Sequence, residues 1–384
     1  MRFQPAGRLG LFRQARHLIR GHIAEDPQLQ EAYAAAAHII HVFGRPAFYE
    51  ISSRCNLKCE GCYYFDGDAH RHDEDPGRFD DGWATFLAQE RARGVSMLYF
   101  LGAEPALEEE RLVVASRYFK RGNVGTNGTR RLHSDIPFRI SISAWAAGQA
   151  EDARLRGGAV LRKALRNYEG DERAIVLYTL NPYNIDEIPT MARACRDHGL
   201  PLTFNMWSPT TSLLDKLKSF TPNDDAFFRI STPEKSLMFS DDDLARVRDG
   251  LEQAIEDFPE TVIYSSAYNR WSTRPGPLYE MNPESGIAED CGSRIAGGFR
   301  YYGMDLRSQP VKCCTPAVDC NACRLYSGGW SSHFVPRPEQ LAARSDFCQW
   351  LDMVLTIGRI FLRPEIDPEA FTAMPHKQMA MDFS

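Results

Sequence analysis

Short apolar segments alternate with amphipathic helical segments from residue 47 to residue 208, and this alternation restricts the fold more than any other feature. Segments with strand character are 47–52, 96–102, 123–128, 138–145, 174–180 and 202–208, and helical segments are 80–94, 108–122, 158–170 and 184–199. Such alternation predicts βα units joined into a parallel sheet. Because parallel crossovers are right-handed, the units should wind into a partial (β/α)6 barrel, an α/β fold.

The rest of the 384-residue chain lacks this alternation. We predict an N-terminal helical segment over 1–46, the partial barrel over 47–232 and a cysteine-rich α+β extension over 233–384. In the extension, 240–258 and 345–362 have helical character, and 264–290 is rich in Pro, Gly, Tyr and Ser, which predicts a long loop. The apolar fraction of 43% and the charged fraction of 25% are typical of a soluble globular protein.

Three cysteines, Cys55, Cys59 and Cys62, lie within eight residues just after the first predicted strand, in the stretch SSRCNLKCEGCYYF. Three thiolates do not complete a tetrahedral structural zinc site. They can bind three irons of a [4Fe–4S] cluster and leave the fourth iron open to a ligand from outside the protein. The carboxyl ends of barrel strands are where such folds carry their chemistry. The alternative interpretation is a metal site with a structural role.

Four further stretches follow later predicted strands in a fixed order: LGAEP, GTNGT, RISISAW and FNMWSP. Together with the cysteines, they resemble the radical S-adenosylmethionine (radical SAM) superfamily over roughly residues 46–210. The resemblance implies that the cluster reductively cleaves SAM to a 5′-deoxyadenosyl radical, which abstracts hydrogen from a substrate or adds to it. It also implies cofactor contacts, and the matching residues here are Gly102, Ala103, Glu104, Asn127, Ser141, Ser143 and Met206. No catalytic side chain is assigned.

Two positions depart from the pattern that this superfamily shows. Ala103 stands where members carry the second glycine of a Gly-Gly-Glu stretch. Gly61 stands before the third cysteine, where many members have an aromatic residue that packs near the adenine, and Tyr63 and Tyr64 follow it here. The second departure implies that the wall beside the cluster loop is built differently in this chain.

A second group of cysteines follows the predicted barrel, with CCTPAVDCNAC as its core. The Cys-x2-Cys spacing at 320–323 is typical of metal sites. The group resembles the SPASM or twitch extensions of radical SAM enzymes, which implies a second, auxiliary iron–sulfur cluster. Structural zinc and free thiols are the alternatives. The expected ligands are Cys291, Cys313, Cys320 and Cys323, with Cys314 and Cys348 as alternates.

The substrate is less constrained by the sequence. A formal net charge of −6 argues against a nucleic-acid partner. A small natural-product or sugar-type substrate is the first hypothesis, with Tyr64, Trp207, Tyr268 and Trp271 as candidate contacts. A peptide is an alternative, although the residues before the barrel are too few for the leader-binding module that many peptide-modifying members carry. A flavodoxin or ferredoxin would donate the electron.

A lipid substrate is the other alternative, because the N-terminal segment is basic and amphipathic and 345–362 is apolar. If this segment is a helix, its period places Arg13, Arg16 and Arg20 on the face opposite to Leu11, Leu18 and Ile19. The same pattern suits a helix packed on the main domain or a transit peptide. Because we find neither a signal peptide nor a membrane-length apolar run, we expect a cytoplasmic protein, with peripheral membrane contact as an option.

Overall fold

One parallel sheet organises the molecule. The structure, a computed structural model, describes residues 15–65, 82–218, 231–232, 234–295, 300–309, 313 and 318–372. In these residues the strands are Pro46–Glu50 (β1), Met97–Leu101 (β2), Gly122–Thr126 (β3), Arg139–Ala144 (β4), Ala174–Leu180 (β5), Leu202–Met206 (β6) and Arg300–Tyr302 (β7). They lie in the sheet in the order β6-β5-β4-β3-β2-β1-β7. Because β1 to β6 follow chain order in the sheet, the predicted α/β fold with a partial (β/α)6 barrel is confirmed.

The strands are buried on both faces because helices cover the sheet. All seven residues of β5, AIVLYTL, are buried, and β2 (MLYFL) is buried except for its last residue. Continuous apolar runs of this kind are expected in parallel sheets, because both faces of such a sheet are covered by other parts of the protein. The register places the carboxyl ends of neighbouring strands together, with Glu50 opposite Leu101 and Leu180 opposite Met206.

Helices connect the strands and form most of the extension. Residues 15–23 are helical at the start of the described chain. The α-helices that follow are Pro27–Val42, Trp83–Ala92, Glu109–Ser116, Gln149–Arg156, Leu161–Asn167, Ile188–Asp197, Thr211–Lys218, Asp241–Asp257, Ser266–Ser272, Gly292–Ile295, Tyr326–Ser331 and Arg344–Phe361. Short 3-10 helices span Tyr63–Phe65, Pro105–Glu108, Ile185–Glu187, Pro338–Leu341 and Pro368–Phe371.

Several of these elements are absent from the sequence prediction, and three of them show why. The helix Gln149–Arg156 has only Ala and Leu as apolar residues in QAEDARLR, so its periodicity is weak. The helix Ser266–Ser272 lies within the segment predicted as a long loop, and the side chain of Ser265 caps it. Strand β7 is only three residues long. It pairs with β1, and Tyr302 donates a 3.0 Å hydrogen bond to the buried Glu90.

The N-terminal and C-terminal helices pack on the sheet with their apolar faces inward. In the described part of the N-terminal segment, Leu18, Ile19 and Ile23 contact the main core. The helix Pro27–Val42 packs against Arg344–Phe361, and eleven residues of the latter are buried. The described parts of both apolar faces are therefore occupied by protein contacts, which favours the packing interpretation over lipid binding. Leu11 and Arg13 lie outside the described residues. None of the described helices combines the length and the apolar character needed to cross a bilayer.

Candidate functional site

The cysteine loop lies at the carboxyl end of β1, and its backbone is held by the end of the helix Gln149–Arg156. The amide of Lys58 donates to the carbonyl of Arg156 at 3.0 Å, and that of Glu60 donates to Leu155 at 2.8 Å. Within the loop, the amide of Cys62 donates to the carbonyl of Cys59 at 3.2 Å. The first two hydrogen bonds fix the loop against a helix that the sequence analysis did not predict, and the third stabilises the turn within the loop.

Cys55, Cys59 and Cys62 are all partly exposed and unbridged. Two N–H donors approach the Sγ of Cys55: the amide of Leu57 at 3.4 Å and the Nδ2 of Asn127 at 3.9 Å. Donors of this kind stabilise a thiolate ligand. The loop therefore supplies both sulfur ligands and part of the hydrogen bonding that such ligands require.

Burial and neighbouring charges act on two of these thiols. Burial, with a smaller contribution from the nearby Cys59, raises the pKa of Cys55. Burial also raises the pKa of Cys59, whereas the charge of Arg156 and a hydrogen bond from it oppose this rise. Because metals bind the thiolate, loading the loop with a metal would release protons. Arg156 is 2% exposed, and sequence reasoning did not identify it.

The turn after β2 contacts the start of the cysteine loop through its backbone. Gly102 has φ +126, and a Cβ there would lie 2.6 Å from the carbonyl oxygen of Ser52. The amide of Ala103 donates to that same oxygen at 3.0 Å. Only glycine permits this approach, so the Gly102-Ala103 pair sets the distance between the ends of β1 and β2.

Glu104 joins the ends of β2 and β3. Its carboxylate is 2% exposed and accepts hydrogen bonds from Thr126 Oγ1 at 2.5 Å, the amide of Asn127 at 2.7 Å and the amide of Ala106 at 3.0 Å. Burial raises its pKa, and these hydrogen bonds oppose the rise. The observed contacts of Glu104 are thus with the protein itself, and its contact with a cofactor stays a prediction.

Asn127 connects the β3 turn to the cysteine loop. Its Nδ2 donates to Asn56 Oδ1 at 2.8 Å, and its Oδ1 accepts from both the amide and the hydroxyl of Thr129. Asn56 also donates to the Thr129 hydroxyl at 2.9 Å. Asn56 and Thr129 belong to this network although the sequence analysis did not single them out, because a distance between two turns is not visible in the sequence.

The remaining predicted cofactor contacts lie on β4 and β6. Ser141 is buried and accepts a 2.9 Å hydrogen bond from Asn123 Nδ2. Ser143 is half-buried, and its carbonyl oxygen accepts from Arg156 Nη1 at 2.7 Å. Met206 is 2% exposed at the end of β6. Their cofactor roles stay predictions.

The four expected ligands of the second cysteine group lie in one part of the extension. Cys291, Cys313, Cys320 and Cys323 are all buried and belong to one apolar cluster with Leu278, Tyr279, Ala288 and Val318. Cys348 packs instead at the edge of the main core, so it is separate from them. The alternate Cys314 lies outside the described residues. Among the described residues, no three His, Cys, Asp or Glu side chains converge on the position of a single metal ion.

The second cysteine group is attached to the carboxyl end of β6. The amide of Arg324 donates to Ser208 Oγ at 2.9 Å, the amide of Asp319 to the carbonyl of Pro209 at 2.9 Å, and the amide of Tyr326 to Asn205 Oδ1 at 2.9 Å. The extension therefore covers the same end of the sheet that carries the first cysteine loop. The sequence predicted both groups but not that they share an end.

Aromatic side chains surround the second group. Trp271 contacts its apolar cluster, and the indole Nε1 is buried without a hydrogen-bond partner. Tyr268 is 2% exposed and stacks on Trp330 with ring centroids 3.5 Å apart, so it lies within the core. Tyr64 is half-buried beside the first loop. Of the predicted substrate contacts, Trp207 lines a cavity.

This cavity has a volume of about 430 Å³ and lies between the end of β6 and the second cysteine segment. Its walls include Trp207, Pro209, Phe239, Asp319 and Arg324. Arg324 is buried, and its guanidinium donates to the carbonyls of Ser272, Arg274 and Gly276. A cavity of this size suits a small molecule or one large side chain.

His333 gives the extension a specific pH dependence. Burial lowers its pKa to about 3, and the charge of Arg337 adds to this effect. The unfolded chain takes up the proton below its ordinary pKa of 6.5, so stability is complete above that pH and is lost as the pH falls toward 3. At pH 5 we expect a loss of about 2 kcal/mol from this residue.

The variant His333→Phe keeps a ring against Tyr268 and Trp271 and should lack this part of the acid sensitivity. Urea denaturation at pH 7.5 and pH 5, followed by circular dichroism, measures it. If wild type and variant lose equal stability between the two pH values, buried neutral His333 is not the cause.

Solved structures similar to this chain include SuiB from Streptococcus suis bound to S-adenosylmethionine, with a TM-score of 0.48, 12% identity, and coverage of 69% of this chain and 59% of SuiB. SuiB bound to the precursor peptide SuiA gives 0.48, 14%, 73% and 63%. Native anSMEcpe with bound AdoMet and Cp18Cys peptide gives 0.45, 13%, 86% and 100%.

This chain thus spans about three fifths of the SuiB chains. No family model and no curated protein matches the chain.

Proposed function

We propose that this chain is a radical SAM enzyme whose catalytic [4Fe–4S] cluster is held by Cys55, Cys59 and Cys62. The observation that carries the proposal is the position of these thiols. They lie on one loop at the carboxyl end of the first strand of a parallel partial barrel. Polar turns after β2 and β3 converge on the same loop through Ser52 and Asn56.

The residues present fit such a cluster. Three thiols leave one iron open, and N–H groups of Leu57 and Asn127 point at Cys55 Sγ. When bound with SAM, the cluster supplies reductive cleavage of the sulfonium and so a radical that can abstract hydrogen from a substrate. The chain's own part is to hold the loop through Arg156 and Leu155, orient its thiols, and keep water from the buried turns around Glu104.

The test is anaerobic reconstitution of the full chain with iron and sulfide. A brown protein with four irons at the first loop, which releases 5′-deoxyadenosine when dithionite and SAM are added, supports the proposal. A protein that binds iron but releases no 5′-deoxyadenosine would refute catalysis. A colourless protein with stoichiometric zinc would identify a structural metal site instead.

We further propose that Cys291, Cys313, Cys320 and Cys323 hold an auxiliary iron–sulfur cluster. They are buried together, and the unpartnered Nε1–H of Trp271 borders the apolar cluster that contains them. A buried donor without a partner is costly, and a sulfide or thiolate acceptor would remove that cost. We propose iron rather than zinc because this segment resembles the SPASM or twitch extensions of radical SAM enzymes.

Replacing both Cys320 and Cys323 by serine should lower the iron bound after reconstitution to about half, because one of two clusters loses two of its ligands. Iron and acid-labile sulfide per chain measure the effect. Cys348→Ser is the matched control, since that thiol lies outside both groups, and it should leave iron unchanged. Unchanged iron in the double variant would exclude the auxiliary cluster.

For the substrate, we propose a small natural-product or sugar-type molecule, which the cavity of about 430 Å³ beside Trp207 can hold, as it can hold one large side chain of a peptide. Deuterium transfer from labelled candidates into 5′-deoxyadenosine tests this, with a panel of peptides as the competing class. A flavodoxin or ferredoxin is the proposed electron donor in place of dithionite.

A further inference from the structure

The turn between the second and third cysteines of the loop is packed without free space. Gly61 is buried and has φ +61. A Cβ at this position would lie 2.9 Å from Leu213 Cδ2 and 3.0 Å from Trp207 Cζ2. The position therefore excludes any side chain for two separate reasons, the left-handed backbone and the occupied space.

This packing bears directly on two of the thiols. Gly61 lies in the chain between Cys59 and Cys62, and the amide of Cys62 donates to the carbonyl of Cys59 across it. A shift of Gly61 would change the separation of these two sulfur atoms. Cluster ligands tolerate little displacement, so the side chains that pack against Gly61, those of Trp207 and Leu213, control the geometry of the loop.

Trp207 and Leu213, which pack against Gly61, are themselves held in place by the surrounding structure. Trp207 is 5% exposed, and its amide donates to the carbonyl of Leu180 at 2.9 Å. The next residue, Ser208, accepts from the amide of Arg324, beside Cys323. Leu213 is 1% exposed in the helix Thr211–Lys218. The backbone of Trp207 is thus fixed to the sheet, and the residue that follows it is fixed to the second cysteine segment.

We propose that Trp207 is a positioning residue for the cysteine loop, since its indole fills the space over Gly61 and holds the turn that sets Cys59 against Cys62. In this chain the aromatic wall of the loop comes from the end of β6 rather than from position 61. This inference rests on the proposed function for its cluster readout, but its structural content concerns the turn alone.

Two variants and one control separate the causes. Gly61→Ala introduces the clash and the backbone strain, and Trp207→Leu removes the wall. Gly199→Ala is the control for strain, because Gly199 has φ +62 with no atom within 4 Å of an added Cβ. The pair Gly61→Ala with Trp207→Phe removes part of the clash and should recover part of the loss.

The first readout needs no cluster. In the reduced, iron-free full chain, iodoacetamide alkylation of Cys59 and Cys62 is followed by mass spectrometry. Gly61→Ala and Trp207→Leu should speed it by about tenfold, whereas Gly199→Ala should not. Cys348 in the same samples reports any general loosening. Wild-type rates at Cys59 and Cys62 in both variants would overturn the inference, as would equal acceleration in Gly199→Ala.

The second readout uses the reconstituted protein. SAM should bind about tenfold more weakly in both variants. The dissociation constant for SAM and the change in the EPR signal of the reduced cluster on adding SAM measure this. Both should stay unchanged in Gly199→Ala. If wild type binds no cluster while the alkylation rates change as expected, the proposed function fails and the positioning role of Trp207 stands. If wild type binds cluster and SAM and the variants do so equally well, the positioning role is refuted.

Discussion

Replacing Cys59 by serine is expected to abolish SAM cleavage, with 5′-deoxyadenosine formation reduced by at least about a thousandfold. Cys59 is the middle thiol of the loop, and Arg156 supports it from a buried position. A serine hydroxyl stays protonated at neutral pH and cannot replace a thiolate on iron. Iron content, the EPR signal of the reduced protein and 5′-deoxyadenosine measure the result together.

Cys348→Ser is the matched control for this experiment, because it replaces a half-buried cysteine that belongs to neither group. It should keep wild-type iron and activity. Wild-type 5′-deoxyadenosine formation by Cys59→Ser would show that the loop is not the catalytic cluster site, whatever metal the protein contains.

Replacing Glu104 by alanine is expected to lower the free energy of unfolding by about 3–5 kcal/mol. The change leaves three buried donors without their acceptor: the hydroxyl of Thr126 and the amides of Asn127 and Ala106. Because Asn127 also bonds Asn56 in the cysteine loop, the variant should lose cluster as well as stability. Urea denaturation and iron per chain measure the two effects.

Glu104→Gln is the control for shape, since an amide oxygen can still accept from the Asn127 amide. It should lose less stability than Glu104→Ala. If Glu104→Ala unfolds at the wild-type urea concentration, the carboxylate does not join the ends of β2 and β3. If it is destabilised but keeps full iron, the link from Glu104 through Asn127 to the loop is wrong.

The fold was predictable where signals are local. Strands such as AIVLYTL can be predicted from the sequence because a strand buried on both faces is continuously apolar. The helix Gln149–Arg156 gave too little apolar periodicity to be predicted, yet its last residues hold the cysteine loop. The sequence did not predict strand β7, because its three residues join the sheet through pairing with β1, which lies far away in the chain.

The candidate site divides in the same way. Cys55, Cys59 and Cys62 were visible because their spacing within one loop is a property of the sequence. Arg156 was not visible, because its role depends on lying beside Cys59. The four cysteines of the second group were visible as residues, but the attachment of their segment to Ser208 and Asn205 was not.

The sequence by itself determined the parallel α/β core and the presence of two cysteine groups, because spacing and apolar periodicity are short-range properties of a chain. Only the tertiary structure decided that both groups lie at one end of the sheet and that Trp207 fills the space over Gly61. It also decided that the carboxylate of Glu104 accepts hydrogen bonds from the turns around it. The physical reason is that packing is set by which distant surfaces fill the same volume. The sequence shows a glycine before the third cysteine. Only the fold shows that the side chain of Trp207 packs against this position and leaves no room for a larger residue.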